Sequence, residues 1–212
     1  MIFLEVLVEG SSDVPAVKEI LQRKFGLVEN EGFRVHAHRG KGSIPAHPNL
    51  QPDKTRQGLL DQLPAKLRGY SGLPPGYCLV VLVDADNEDC RDLKQRLVVL
   101  YQNSLRKPNC VLFRIAVEET ESWFLADPDA IKAAYPRARL NRLPDGPPDS
   151  VVGAWEKLAD VLALRPVECD GSDKKEWASK IVPFVDLENP KSPSLRAFVE
   201  GISGIVEREA IE

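Results

Sequence analysis

The sequence predicts an α/β fold: a mainly parallel sheet flanked by helices, with a helical extension at its C-terminal end. Three observations predict it. Apolar, strand-length runs recur at residues 2–8, 33–38, 80–84 and 110–117. Segments of helical periodicity alternate with them, giving strand, helix, strand, helix, strand, helix, strand and then helices. Three of the four runs stop at carboxylates: Glu9; Asp84 with Asp86; and Glu118-Glu119-Thr120-Glu121. In a parallel sheet those carboxyl ends share one edge, where ligands of open α/β sheets bind.

The run at 80–84 (VVLVD), set behind a Gly/Pro turn at 72–76, reads as a strand buried on both faces. The run at 2–8 (IFLEVLV) reads as a second one. A helix is expected from about 13 to 25, with Val14, Val17, Ile20, Leu21 and Phe25 on one face, Asp13 or Ser12 as N-cap, and Gly26 as its stop. Residues 39–54, rich in Gly and Pro, form a long loop. A helix over 55–67 carries Leu59, Leu60, Leu63 and Leu67, and Pro64 is expected to kink or split it. Further helices are expected over 89–105, from 122, from Asp127-Pro128, and over 151–164, 173–185 and 194–207. The expected organisation is one compact unit, an α/β core over 1–127 with a helical extension over 128–212 packed on it.

Composition narrows the function. The chain has 212 residues, 43% of them hydrophobic, enough for a real core. Net charge is −4, from 28 Lys and Arg against 32 Asp and Glu, so no global basic footprint marks a nucleic-acid partner. Local basic patches (Arg34, Arg39 and Lys41; Arg137, Arg139 and Arg142) would have to meet one. The four cysteines, Cys78, Cys90, Cys110 and Cys169, form no CxxC pair. Neither zinc site nor disulfide is expected, and Cys78 and Cys110 read as small core residues. The N-terminal run, broken by Glu5, is not a signal peptide, and no run reaches membrane-spanning length; the expectation is a soluble cytoplasmic protein.

The acids carry the chemistry. If strand geometry persists through Ala85, Asp84 and Asp86 point the same way. Two carboxylates so placed repel each other unless a cation or proton lies between them, and a hard divalent ion is the natural occupant. An EF-hand reading of this stretch fails, because its sixth position is Asp89 and its twelfth Gln95. Asp89 suits a structural first-turn acid, and Asp13 serves a cap as readily as a ligand. Glu119 and Glu121 also suit a helix start, while Glu118 is expected to face solvent. Trp123, Trp155 and Trp177 are expected to pack helices, and His36 and His38 to be solvated or satisfied.

Together these motifs resemble the TOPRIM superfamily, found in topoisomerases, bacterial primases, recombination proteins and OLD-type nucleases. Val8-Glu9-Gly10-Ser11-Ser12-Asp13 resembles its first motif and Asp84-Ala85-Asp86 its second. Glu119-Thr120-Glu121-Ser122-Trp123 resembles the Glu-x-Glu-x-Trp signature of an uncharacterised TOPRIM-like bacterial family, often encoded beside ABC-type ATPases in mobile-element and phage-defence operons. The resemblance implies a TOPRIM-like (Rossmann-like) core. It also implies a Mg²⁺- or Mn²⁺-dependent phosphodiester hydrolase acting on nucleic acid. Glu9, Asp84 and Asp86 would be catalytic, with Glu9, Asp13, Asp84, Asp86, Glu119 and Glu121 as metal ligands. No basic residue matches the superfamily pattern; Arg39 and Lys41 are the candidate phosphate binders, and Lys174 a further candidate. An ABC-type ATPase is an implied partner, and a homo-oligomer is left open. Two alternatives stand beside this reading. One is a non-catalytic, metal-binding effector subunit of an ATPase complex. The other is an Asp-x-Asp phosphatase of the haloacid-dehalogenase kind, for which Glu9 has no role.

Overall fold

A computed structural model describes residues 2–49, 53, 55–86, 88–147 and 149–211, without the side chains of 209–211. Its four strands are β1 (Phe3–Val8), β2 (Phe33–Ala37), β3 (Tyr77–Asp84) and β4 (Val111–Ala116). They form one sheet in the order β2-β1-β3-β4, every neighbouring pair parallel. This is the α/β architecture that the strand–helix alternation predicts.

The two central strands show why their sequences are apolar apart from Glu5 inside β1 and Asp84 at the end of β3. Leu4, Val6 and Val8 of β1 and Cys78, Val80 and Leu82 of β3 enter one core; Leu7, Leu79, Val81 and Val83 enter the core on the other face. Alternation along a strand sends successive side chains to opposite faces, so a strand covered on both sides is apolar at nearly every position, and the exception, buried Glu5, is bonded to His36.

On the first face lie α1 (Asp13–Phe25) and the C-terminal helices; on the second lie α2 (Leu59–Gly69) and α3 (Cys90–Asn103). α1 ends at Gly26, whose φ of 63° is the left-handed conformation glycine takes most readily. Asp89 caps α3, its carboxylate accepting from the N–H groups of Arg91 and Asp92. α2 starts four residues later than expected. Its first amides, those of Leu59 and Leu60, donate to the carbonyls of Gly40 and Lys41 instead of extending the helix backwards. Pro64 lies inside an unbroken α2. Of the loop expected over 39–54, residues 50–52 and 54 lie outside the described residues.

After β4 come α4 (Glu121–Leu125), α5 (Pro128–Ala134), α6 (Ala154–Val161), α7 (Gly171–Ile181) and α8 (Pro193–Ile211). Asp127 caps α5, and Asp170 with Asp173 forms a capping box at α7. Leu158, Trp177, Ile181, Phe198 and Ile202 of this region share the core that holds Val6 and Val80. Trp123 is buried against Phe198 and donates from its indole N–H to Ser194 Oγ over 2.8 Å. Arg114 Nε donates to the carbonyl of Ala197, tying β4 to α8.

The cysteine expectation is overturned. Cys78 and Cys110 form a disulfide, while Cys90 and Cys169 are free. The parallel register sets Leu79 beside Val111, so the residues preceding them, 32 apart in sequence, meet with Cα atoms 4.6 Å apart. Cys78 is nevertheless buried in the core, as expected of it. No helix among the described residues is long and apolar enough to cross a membrane.

Candidate functional site

β1 and β3 are parallel neighbours, and β3 runs two residues past the end of β1, so the side chain of Glu9, just after β1, reaches the last residue of β3. The backbone N–H of Asp84 donates to Glu9 Oε1 over 2.8 Å. Asp13 completes the group. Ser12 holds the cap position of α1, but neither Ser12 nor Asp13 caps that helix with its side chain. Asp13 turns back instead. Its Oδ2 accepts from the N–H of Gly10 at 2.9 Å and its Oδ1 from Thr120 Oγ1 at 3.1 Å. The side chain is 7% exposed, so this is a buried acid fixed from two directions, the first motif and the start of α4.

Glu9, Asp13 and Asp84 act on one another electrostatically. Burial, then repulsion from Asp86 and Asp13, pushes Glu9 up to about 7 against a hydrogen bond from Asp84 that pulls it down. Burial also raises Asp13. Asp84 is pushed well above the usual carboxylate range by burial, then by Asp13, Glu9, Glu121 and Glu119. Among the described residues no hydrogen bond reaches the Asp84 carboxylate, and the cation that acts on it is the Lys174 ammonium.

The third acidic segment closes one side. Glu121, 2% exposed at the start of α4, is raised to about 7, first by burial, with Lys174 opposing and Glu119 adding to the shift. Its Oε2 is buried with no hydrogen-bond partner. Glu119 Oε2 accepts from the N–H of Trp155 at 3.0 Å. Lys174 of α7 stands 3.5 Å from Glu119 Oε1 and 3.3 Å from Glu121 Oε1. The helical extension therefore supplies both a backbone donor and a cation to acids of the core.

Asp86 acts on Glu9 but is turned outward from the buried acids. The strand ends at Asp84, and Asp86 takes a φ of 50°, its N–H donating to the carbonyl of Glu118. Strand geometry thus does not persist through Ala85, and the two aspartates do not point the same way. Asp86 is half exposed and pairs with Lys41, whose ammonium also reaches Glu88 and the carbonyl of Ala85, all at 3.0–3.1 Å. Burial opposes protonation of Lys41, but Glu88 and Asp86 together hold its ammonium above the ordinary lysine value.

Lys41 is brought there by the loop before α2. The N–H of Gly40 donates to the carbonyl of Glu9, and Gly42 crosses Gly58 so closely that a Cβ on Gly58 would lie 2.5 Å from the Gly42 Cα. Arg39 is exposed with no side-chain partner among the described residues. Arg142 pairs with Asp160, away from the acids. His36 bonds Glu5 and His38 bonds the carbonyl of Val8, so both are satisfied.

The sheet edge thus gathers Glu9, Asp13, Asp84, Glu119 and Glu121, with Asp86 turned outward and a lysine on each flank. Among the described residues no three His, Cys, Asp or Glu side chains form a preset metal cage. The acids share an electrostatic neighbourhood rather than a closed ligand shell. Glu88, Thr120 and the N–H of Trp155 are the participants that sequence reading missed. Glu88 stood within the acid-rich 84–89 stretch; the other two carry no sequence signal.

A family model described as Domain of unknown function (DUF4276) matches residues 8–203. The chain belongs to that family. The match runs from the end of β1 into α8, so family membership spans both the acidic edge and the helices that supply Lys174. No curated protein sequence matches the chain. Among solved structures, the C-terminal region of the Xanthomonas campestris pv. campestris OLD protein superposes with a TM-score of 0.51 at 18% identity, covering 98% of this chain and 97% of that one. The C-terminal region of the Burkholderia pseudomallei OLD protein gives 0.47 at 16%, covering 95% and 98%. The first likeness is one of fold, and it includes the C-terminal helices.

Proposed function

We propose that this member of the family is a divalent-metal-dependent phosphodiester hydrolase, nuclease-like, acting on nucleic acid. The observation that carries it is the juxtaposition of Glu9, Asp13 and Asp84 at the carboxyl edge of the parallel sheet, each pushed up by burial and two of them by their neighbours. Such a cluster is unfavourable by itself and becomes favourable when a cation joins it.

The residues present fit Mg²⁺ or Mn²⁺. The donors are all carboxylate oxygens, which hard cations prefer, and Glu121 Oε2 is a buried acceptor with nothing to accept from. Glu9, Asp13, Asp84 and Glu121 would close around the ion by changes of rotamer, with Glu119 and Asp86 at its margin. The ion would supply activation of a water and stabilisation of the leaving oxygen of a phosphodiester. Glu9, like Glu121, holds a proton near neutral pH, and its carboxyl is oriented by the Asp84 N–H. Lys174 and Lys41 would neutralise substrate charge on either flank, and exposed Arg39 would hold a phosphate beside the loop.

The resemblance of the three motifs to TOPRIM proteins and OLD-type nucleases supports nucleic acid as the substrate, and the fold shared with an OLD C-terminal region is consistent with it. The same resemblance supports an ABC-type ATPase partner and a place in phage-defence or mobile-element systems. The test is cleavage of mixed DNA and RNA by the purified chain with Mg²⁺ or Mn²⁺. Cleavage that disappears in Asp84→Asn, with the circular dichroism unchanged, is expected. Equal cleavage by that variant overturns the assignment.

A further inference from the structure

We propose that the Lys174 ammonium and a divalent cation are alternative occupants of the Glu119–Glu121 carboxylates, so that loading the site expels Lys174 from it. This rests on the metal reading above. Glu121 is 2% exposed and one of its oxygens has no partner, so the acid is built for a charge that is only partly supplied. Lys174 stands 3.3 Å from the other oxygen and 3.5 Å from Glu119 Oε1. Tight charge-assisted N–H···O bonds run about 2.7–2.9 Å, so the ammonium is held by attraction rather than by close hydrogen bonds. Its further support is the Trp155 ring, 5.8 Å away, near the outer range of cation–π contact.

A monovalent ammonium and a divalent ion on the same two carboxylates repel each other, and the buried setting leaves that repulsion weakly screened. The long lysine stem lets the ammonium leave while α7 stays in place. Lys41 provides the contrast. Its three contacts are 3.0–3.1 Å, and its acids Asp86 and Glu88 are 51% and 40% exposed, against 3% for the Glu121 side chain. Water already screens those acids, and Lys41 is the last of the influences on Glu9, so removing it changes less for an ion at Glu121 than removing Lys174 does.

The test is calorimetric titration of MnCl₂ into the full chain and three variants. Lys174→Met is expected to bind Mn²⁺ roughly tenfold more tightly, because a competing charge a few ångströms away is gone. Lys174→Arg should stay near wild type, and Lys41→Met should change affinity by less than about threefold. In the wild-type chain, acylation of Lys174 by an amine-reactive ester, read by peptide mass mapping, should accelerate when Mn²⁺ saturates. That second readout decides the matter if Lys174→Met fails to fold. Unchanged or weaker binding in a folded Lys174→Met, or acylation indifferent to Mn²⁺, overturns the displacement while leaving the metal site standing. No binding in any chain overturns the metal reading, and the displacement with it.

Discussion

The N–H of Asp84 and Oε1 of Glu9, 75 residues apart in sequence, lie 2.8 Å apart. This bond fixes the end of β1 to the end of β3 and aligns the two acids beside a third, Asp13. The bond uses one lone pair of Oε1, so Oε2 is the freer oxygen of Glu9 for a ligand or a proton.

The acidic edge makes the metal-free protein sensitive to alkali. Glu9 and Glu121 sit at about 7 in the fold against 4.5 for an unperturbed glutamate. A raised carboxyl favours the protonated native state, so its stability is fully present below about 4.5 and is lost as pH climbs through about 7. Thermal unfolding in the presence of a chelator should therefore show a midpoint that falls between pH 5 and pH 8. A midpoint that rises over this window contradicts the burial of these acids.

Glu9→Gln should raise stability at pH 8, because glutamine still accepts the Asp84 N–H but carries no charge. The gain should be on the order of 2 kcal/mol in urea unfolding and should vanish at pH 4. A loss at pH 8 would mean that the charge of Glu9 is compensated in the free protein.

The two aspartates of the 84–86 motif should separate in effect. Asp84→Asn removes an acid from the centre of the cluster and should abolish divalent-metal binding. Asp86→Asn removes a half-exposed partner of Lys41 and should weaken binding by less than about tenfold. Equal losses would show that Asp86 rotates in as a full ligand.

How much of this was legible follows from particular residues. Glu9 and Asp84 were visible because an apolar strand that stops at an acid places it at the sheet edge, whatever the strand order. The orientation of Asp86 is not legible, because a left-handed turn at that residue, held by the Glu118 carbonyl, depends on the segment after β4 and carries no mark in the motif. Asp13 looked like a helix cap, since only the fold brings Thr120 within 3.1 Å of it. For Lys41 and Lys174 the sequence offers candidates but no motif. Their placement needs the Gly42–Gly58 crossing and the docking of α7, both contacts between distant segments. The Cys78–Cys110 pair was invisible because register, not spacing, creates it.

The Gly42–Gly58 crossing should be intolerant. Gly58→Ala places a Cβ 2.5 Å from both the Cα and the nitrogen of Gly42, backbone atoms that cannot swing away. The variant should lose about 1–3 kcal/mol in urea unfolding. Gly69→Ala, with open space at its Cβ, is the control and should change stability little.

Binding calorimetry of Mn²⁺ at pH 6.5, repeated in buffers of different ionisation enthalpy, bears on the whole reading of the site. Acids raised toward 7 hold protons there, and a cation must displace them. Saturable binding is predicted, with an observed enthalpy that shifts with the buffer because protons are released, and with both signals lost in Asp84→Asn. Absence of binding at millimolar Mn²⁺, or binding that Asp84→Asn leaves intact, would contradict it.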